Sequence, residues 1–351
     1  MTHLVRFLKK ARVALRMHRR RPTFVSFNVT NRCNEACPMC SIWRDEGEDL
    51  PLAEIERIFT DLRRCGFLVS ELSGGEPFLR PDLFEVFKVL DRLGFLYTLT
   101  TNGTLVTGEQ IERLSDARGL LQLAVSLDSL RRDTYRALRG CDLLPDVLNT
   151  LDRIAAAPPP QPVKLNMTLS RLNYQEVFDM IRYARARGFF LSVFPVSLGG
   201  GFEHRADHPQ FRASSGELRE MATVFVELSR LKKEGAPLWE YSGFYEKAAG
   251  YLLQRPMGPC GAGELFVDLH SDGKLAPCID LPTCADLRQE SAAAALARMK
   301  TQSERIRSCS GASPCCYTCS YNISLTAEHP VRFVLENARR TVKLWVKKPK
   351  A

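Results

Sequence analysis

The sequence predicts an α/β fold: a partial barrel of six β/α units followed by a small cysteine-rich C-terminal domain. Three observations predict it. Six short runs rich in apolar and β-branched residues alternate with five helical patterns between Thr23 and Val196, the pattern of parallel strands joined by right-handed crossovers. Polar and glycine-bearing segments follow several of these runs, at the strand ends where such barrels hold ligands. Seven of the twelve cysteines crowd between residues 260 and 319, beyond the barrel.

The first strand is Thr23-Phe-Val-Ser-Phe-Asn-Val29, and Cys33-Asn-Glu-Ala-Cys37-Pro-Met-Cys40 follows it closely. Three thiolates spaced C-x3-C-x2-C on one loop suit three irons of a cubane iron–sulfur cluster. The fourth iron is left open, as the open position of a catalytic metal site is. A zinc knuckle needs a fourth ligand nearby, and no Cys or His follows Cys40 until Cys65. A helical pattern over 51–65 leads to a second strand and Ser70-Glu-Leu-Ser-Gly74-Gly75-Glu76-Pro77. Paired glycines admit a ligand close to the backbone, and a carboxylate beside them can meet an ammonium group.

Helix 80–93 precedes a third strand, Leu96-Tyr-Thr-Leu-Thr-Thr, which ends in the turn signal Asn102-Gly103-Thr104. Helix 107–118 leads to a fourth, Leu121-Gln-Leu-Ala-Val-Ser126-Leu-Asp128-Ser129. One long helical pattern, 131–156, carries Arg139. The fifth strand, 163–169, contains Asn166. Helix 173–187 opens with Asn173-Tyr-Gln-Glu176, the spacing of a capping box. The sixth strand is 190–196. Gly199-Gly-Gly201 closes the barrel, and helical patterns recur at 215–234 and 243–254.

These motifs, in this order, resemble the radical S-adenosylmethionine (radical SAM) enzymes. The resemblance implies that Cys33, Cys37 and Cys40 hold a 4Fe–4S cluster whose open iron chelates SAM. It implies that Gly74, Gly75, Glu76 and Pro77 form the segment that binds SAM's amino group. It implies that Asn102, Ser126, Asp128 and Asn166, on the strand segments, and Arg139, on the helical stretch that follows, line the part of the site that holds its ribose and carboxylate. In that family one electron from the cluster cleaves SAM to methionine and a 5′-deoxyadenosyl radical, which takes a hydrogen from the substrate. A reductant such as flavodoxin or ferredoxin supplies the electron.

The C-terminal cysteines read as metal ligands, because they cluster and no signal-peptide core or membrane-spanning run precedes them. Cys260-x12-Gly273-x4-Cys278 encloses a hairpin, 265–269 and 274–276, that brings the two cysteines to neighbouring strand ends. Cys309, Cys315, Cys316 and Cys319 follow. This resembles the SPASM and twitch domains of many radical SAM enzymes. A full SPASM pattern would have a cysteine at Ile306 and another after Cys319, so the single auxiliary 4Fe–4S cluster of a twitch domain fits better. Its implied ligands are Cys260, Cys278, Cys316 and Cys319, with Cys309 and Cys315 as alternatives. Cys284 is a spare, and Cys65 and Cys141 read as ordinary buried thiols.

Charge is unevenly spread. Residues 1–22 carry +8 and residues 332–350 carry +6, which leaves −5 on the rest of a chain whose formal net charge is +9. Apolar stripes run through both ends: Leu4, Phe7, Leu8, Ala11 and Leu15, then Val331, Val334, Leu335, Ala338, Val342 and Trp345. Basic amphipathic helices read as membrane-surface elements or as helices packed on the barrel. The sequence lacks the aromatic–basic interleaving of a nucleic-acid surface.

The expected organisation is a basic helix (1–22), the barrel (23–200), a helical linker (201–257), the auxiliary-cluster domain (258–322) and a second basic helix (323–351). The expected location is the cytoplasm, or the inner membrane face as a peripheral protein. The expected activity is radical SAM oxidation or bond formation on a lipid or isoprenoid intermediate. Alternatives are dehydrogenation of a polar secondary metabolite, peptide maturation, and, from another class, a non-catalytic iron–sulfur electron carrier.

Overall fold

The computed structural model describes residues 3–45, 47–197, 208–240, 243–255, 258, 260–301, 316 and 318–331. Six parallel strands form the barrel wall: β1 (Phe24–Thr30), β2 (Val69–Gly74), β3 (Leu96–Thr101), β4 (Leu120–Ser126), β5 (Val163–Leu169) and β6 (Phe190–Pro195). Outside them lie α2 (Leu52–Cys65), α3 (Leu83–Arg92), α4 (Gly108–Arg113), α5 (Arg132–Arg139), α6 (Leu144–Ala156) and α7 (Val177–Ala186). The outer face of the sheet, including Val25, Phe27, Leu72 and Leu99, is buried in one continuous core with Ile55, Phe59, Phe87 and Val147 from these helices.

The sheet does not stop at six strands. Its order is β6-β5-β4-β3-β2-β1-β7-β8-β9, where β7 is Phe266–Leu269, β8 is Lys274–Ala276 and β9 is Ala285–Asp286. β7 pairs in parallel with β1, Phe24 opposite Phe266 and Ser26 opposite Asp268. The expected hairpin is therefore present, but it extends the barrel sheet rather than standing apart from it. Beside β6 lie α8 (Ser215–Lys233), which opens with a Ser214–Glu217 capping box, and α9 (Phe244–Leu252). The chain continues through α10 (Ala292–Thr301) to α11 (Thr318–Glu328).

The inner face changes character along the barrel axis. Alternate residues of a strand share a face. Towards the strands' carboxyl ends Asn28, Ser73 and Thr100 line a cavity. At the amino ends Phe24, Val69 and Leu96 meet Leu265, Phe266, Cys278 and Ile323 in an apolar plug. The N-terminal helix α1 (His3–His18) supplies Val13 and Met17 to that plug.

On α1 Val13, Ala14 and Met17 are buried, whereas Leu8 and Leu15 of the stripe are 57% and 49% exposed. Two expectations need correction. The pattern 131–156 is two helices. Gly140 adopts a left-handed φ of 69° and ends α5, and Pro145 starts the next helix in its first turn. Asn173 and Glu176 form no capping box. Asn173 Nδ2 donates to the Asp128 and Thr168 carbonyls, and its Oδ1 accepts from Ser170, so its side chain is spent on strand ends. The C-terminal stripe beyond Val331, Gly199–Gly201, Ile306, Cys309, Cys315 and the Cys319 side chain lie outside the described residues.

Candidate active site

The cysteine loop is irregular backbone, so its shape depends on side chains that reach it from elsewhere. Asn34 Oδ1 accepts from Asn102 Nδ2 at 2.8 Å, and Asn34 Nδ2 donates to Thr104 at 2.8 Å, which ties the loop to the end of β3. Trp43 Nε1 donates to the Cys37 carbonyl. Glu35 is 3% exposed and accepts from Tyr135 Oη at 2.6 Å and Arg139 Nη1 at 3.3 Å, both on α5. The thiols of Cys37 and Cys141 point at the same carboxylate, at 3.6 and 3.8 Å. Arg139 also pairs with Asp128 at 2.7 Å, and Asp128 accepts from the Thr168 amide. A buried chain of alternating charge thus runs from β5 and β4 through α5 to the loop.

The two glycines after β2 are a packing requirement. Gly74 has φ 120°, and a Cβ there would stand 2.2 Å from the Thr30 carbonyl; at Gly75 it would stand 2.1 Å from the Arg32 carbonyl. Instead, Gly75 N and Glu76 N donate to those carbonyls at 2.8 Å, joining this segment to the base of the cysteine loop. Glu76 is fully buried behind the cavity wall. Its carboxylate accepts from Thr101 Oγ1, the Asn102 amide and the Phe78 amide at 2.7–3.0 Å. Burial pushes its pKa up to about 7 against the pull of those donors.

A single cavity of about 270 Å³ gathers Cys33, Cys37, Cys40, Gly74, Gly75, Asn102, Ser126, Arg139 and Asn166. Glu76, Pro77 and Asp128 are buried residues outside its lining. The thiols themselves suit a cluster. Burial raises Cys33 to about 11, with the Glu35 and Glu76 carboxylates adding to it, and raises Cys37 well above the usual thiol range. Such thiols ionise only beside a strong cation, which irons provide. Three thiols on one loop that face one cavity suit a cluster whose ligands each take a different corner.

Sequence reasoning missed Glu35, Tyr135 and Glu71. Glu35 sits inside the C-x3-C spacing, and Tyr135 and Arg139 are one helical turn apart, but their meeting across about a hundred positions left no local signal. Cys141 is not an ordinary core thiol, since it touches the loop's carboxylate.

Cys260 and Cys278 share the apolar plug at the opposite pole, where Gly263 N donates to the Pro277 carbonyl and joins their segments. Cys316 is buried. Cys284 is a ladder residue, its amide donating to the Leu275 carbonyl at 2.8 Å.

Comparison with known proteins gives the family. Residues 27–207 match the radical SAM superfamily. A "Probable GTP 3′,8-cyclase" of Methanothermobacter thermautotrophicus is 30% identical over 75% of this chain and 86% of its own length. One of the same name from Methanothermobacter marburgensis is 36% identical over 51% of this chain and 59% of its own. Streptococcus suis SuiB, solved with bound S-adenosylmethionine, shares the fold with a TM-score of 0.62 at 17% identity, covering 79% of this chain and 66% of that one. The chain belongs to the radical SAM superfamily.

Proposed function

We propose that Cys33, Cys37 and Cys40 hold the 4Fe–4S cluster of this radical SAM enzyme, with SAM seated along Gly74, Gly75, Asn102, Ser126 and Asn166. The observation that carries this reading is the convergence of these residues, from five separate segments, on one cavity. When bound, the cluster and SAM supply a 5′-deoxyadenosyl radical that takes a hydrogen from the substrate. The chain's own residues hold the loop in shape through Glu35, Arg139 and Asn34, and keep water from the reacting carbon with the barrel wall. Glu76 braces the glycine segment through Thr101 and Asn102. Residues 258–322 form an auxiliary-cluster unit with Cys260, Cys278, Cys316 and Cys319 as ligands, suited to relaying an electron.

The relatives' name makes a purine nucleoside triphosphate the first substrate to try. The test is anaerobic incubation of the reconstituted enzyme with SAM, dithionite and GTP. We expect release of 5′-deoxyadenosine and consumption of GTP. Release without GTP consumption would keep the chemistry and remove this substrate. No release at all, from a protein with its full iron content, would leave the electron-carrier reading. A lipid substrate is the second reading, favoured by Leu8 and Leu15, exposed on α1 beside Arg12 and Arg19. No described helix is long and apolar enough to cross a membrane, so this reading requires a surface contact. Flotation with anionic vesicles that persists in a Leu8→Ser/Leu15→Ser variant would remove α1 from it.

A further inference from the structure

Below the glycine segment, the inner face of the barrel carries acceptors. Glu71 lines the cavity three residues before Gly74, so it sits roughly 10 Å deeper along the strand. Ser26 stands between Glu71 on β2 and Asp268 on β7, all three in register and on one face. Asp268 is 2% exposed, and neither of its oxygens accepts a hydrogen bond among the described residues; its ionic neighbour is His270 Nε2 at 3.2 Å. Asn28, one step above and also 2% exposed, lines the cavity with an Oδ1 that accepts no hydrogen bond. Asn166 Oδ1, across the cavity, is in the same condition.

Buried acceptors without donors are costly, on the order of 1–3 kcal/mol each. Two such oxygens on the chamber wall, Asn28 Oδ1 and Asn166 Oδ1, therefore describe the complement of what fills it, with Asp268 buried behind Ser26. Cations in the neighbourhood are largely engaged. Arg139 is held between Asp128 and Glu35. Lys164 lies over the Trp239 ring and draws on Glu71. Burial raises Glu71 above the usual carboxylate range against the pull of Lys164 and a hydrogen bond from Thr100, and Asp268 adds to the rise, so a further donor at Glu71 would relieve it. A phosphate at this depth would face the Glu71 carboxylate, with Arg139, the cation of the cavity's described lining, already held by Asp128 and Glu35.

We infer that Glu71 and Asn28, with Asp268 buried behind them across Ser26, form a substrate subsite at the cavity floor that takes an N–H-rich group: an ammonium, a guanidinium, or the N1–H/N2–H2 edge of a guanine-type base. Any phosphate on the same substrate points to the mouth. This rests on the proposed location of the active site, and it specifies which end of the substrate goes deepest.

The test is affinity selection without reductant, so it does not depend on SAM cleavage. Reconstituted holoenzyme with SAM is mixed with a polar small-molecule extract containing added GTP, filtered, and its retained compounds weighed by mass spectrometry. Wild type is compared with Glu71→Gln and Asp268→Asn, both close in shape to the native side chains. We expect retained compounds to carry N–H donors and to drop about tenfold or more in Glu71→Gln, the scale of one lost charge-assisted hydrogen bond. Retention of GTP would assign the group to a guanine edge. Passage of GTP with retention of an amine or guanidine would assign it to a cationic metabolite. An empty retained set, a set lacking N–H donors, or one unchanged in both variants would overturn the subsite. Failure of the active-site reading appears separately, as absence of 5′-deoxyadenosine under reductant.

Discussion

The two poles of the barrel handle cysteine in opposite ways. At the carboxyl pole three cysteines sit within eight residues, and polar side chains from β3, β4 and α5 pin their loop. At the amino pole Cys260 and Cys278 flank the β7–β8 hairpin, which reaches the barrel because β7 joins β1, and apolar residues from α1, β1, β2 and α11 enclose them. Six residues of β1, roughly 20 Å, separate the levels of the two groups. Ile279 bridges the poles, packing against the plug while lining the cavity. A site that must admit ligands keeps its backbone near water and spends hydrogen bonds on shape. The amino pole instead holds its two cysteines in an apolar enclosure.

The largest expected effect separates the poles by activity. Cys37→Ala should abolish 5′-deoxyadenosine release from SAM and dithionite. Cys278→Ala should leave that release within about tenfold, the scale of outer-sphere changes at a metal site, while reducing substrate conversion further. Equal loss in both variants, at equal protein folding by circular dichroism, would show that the amino-pole cysteines serve the same cluster.

Stability should separate the poles next. Glu35→Ala leaves Arg139 and Tyr135 facing an apolar gap, and breaking a buried ionic network costs about 3–5 kcal/mol. Glu35→Gln should recover part of this, because it still accepts from Tyr135. Leu265→Ala, at a fully buried position in the plug, should cost about 2–5 kcal/mol through lost contact and a cavity, and Leu265→Met should recover most of it. Urea unfolding of the four variants reads the contrast. If Glu35→Ala matched wild type, the polar chain would not hold the loop.

How much of this was legible depended on how local each feature is. Cys33, Cys37, Cys40, Gly74 and Gly75 were readable because each motif is contiguous and follows a strand. The break in 131–156 was also written locally, as Gly140 and Pro145, but the apolar period running through both helices concealed it. On α1 two stripes coexist, and periodicity alone does not say that Val13 and Met17 dock while Leu8 and Leu15 face out. Asn173 shows the converse: a correct capping spacing overridden because the side chain satisfies the Asp128 and Thr168 carbonyls. The extension of the sheet through β7 had no signal at all in the strand's own four residues, since parallel pairing across some 240 positions is a tertiary choice.

The pH dependence sharpens the polar pole further. Glu76 titrates near 7 in the folded chain against an ordinary 4.5, because burial disfavours its charge. The folded state then holds a proton that the unfolded state releases between these values. Stability is full below about pH 4.5, falls as pH rises towards 7, and stays reduced above it, by roughly 3 kcal/mol for this one group. Glu76→Gln removes that slope, so the wild-type and variant curves should converge or cross within this window. Parallel curves from pH 4.5 to 7.5 would show that its donors from Thr101, Asn102 and Phe78 outweigh burial.

The smallest effect isolates backbone fit from charge. Gly140 ends α5 with φ 69°, and a Cβ there would lie 2.4 Å from the Ala36 carbonyl, inside the cysteine loop. Gly140→Ala therefore adds left-handed strain and a clash with backbone, together about 1–3 kcal/mol. Gly188, which ends α7 with φ 72°, has nothing within 4 Å of its would-be Cβ. Gly188→Ala should pay only the conformational part, about 1 kcal/mol. The difference between the two variants is then the cost of pushing Ala36. It should appear as faster iron loss to a chelator in Gly140→Ala alone, because moving Ala36 moves Cys37. Equal iron loss in the two variants would mean that the loop accommodates the methyl group, and that the carboxyl pole is held by Glu35 rather than by close backbone packing.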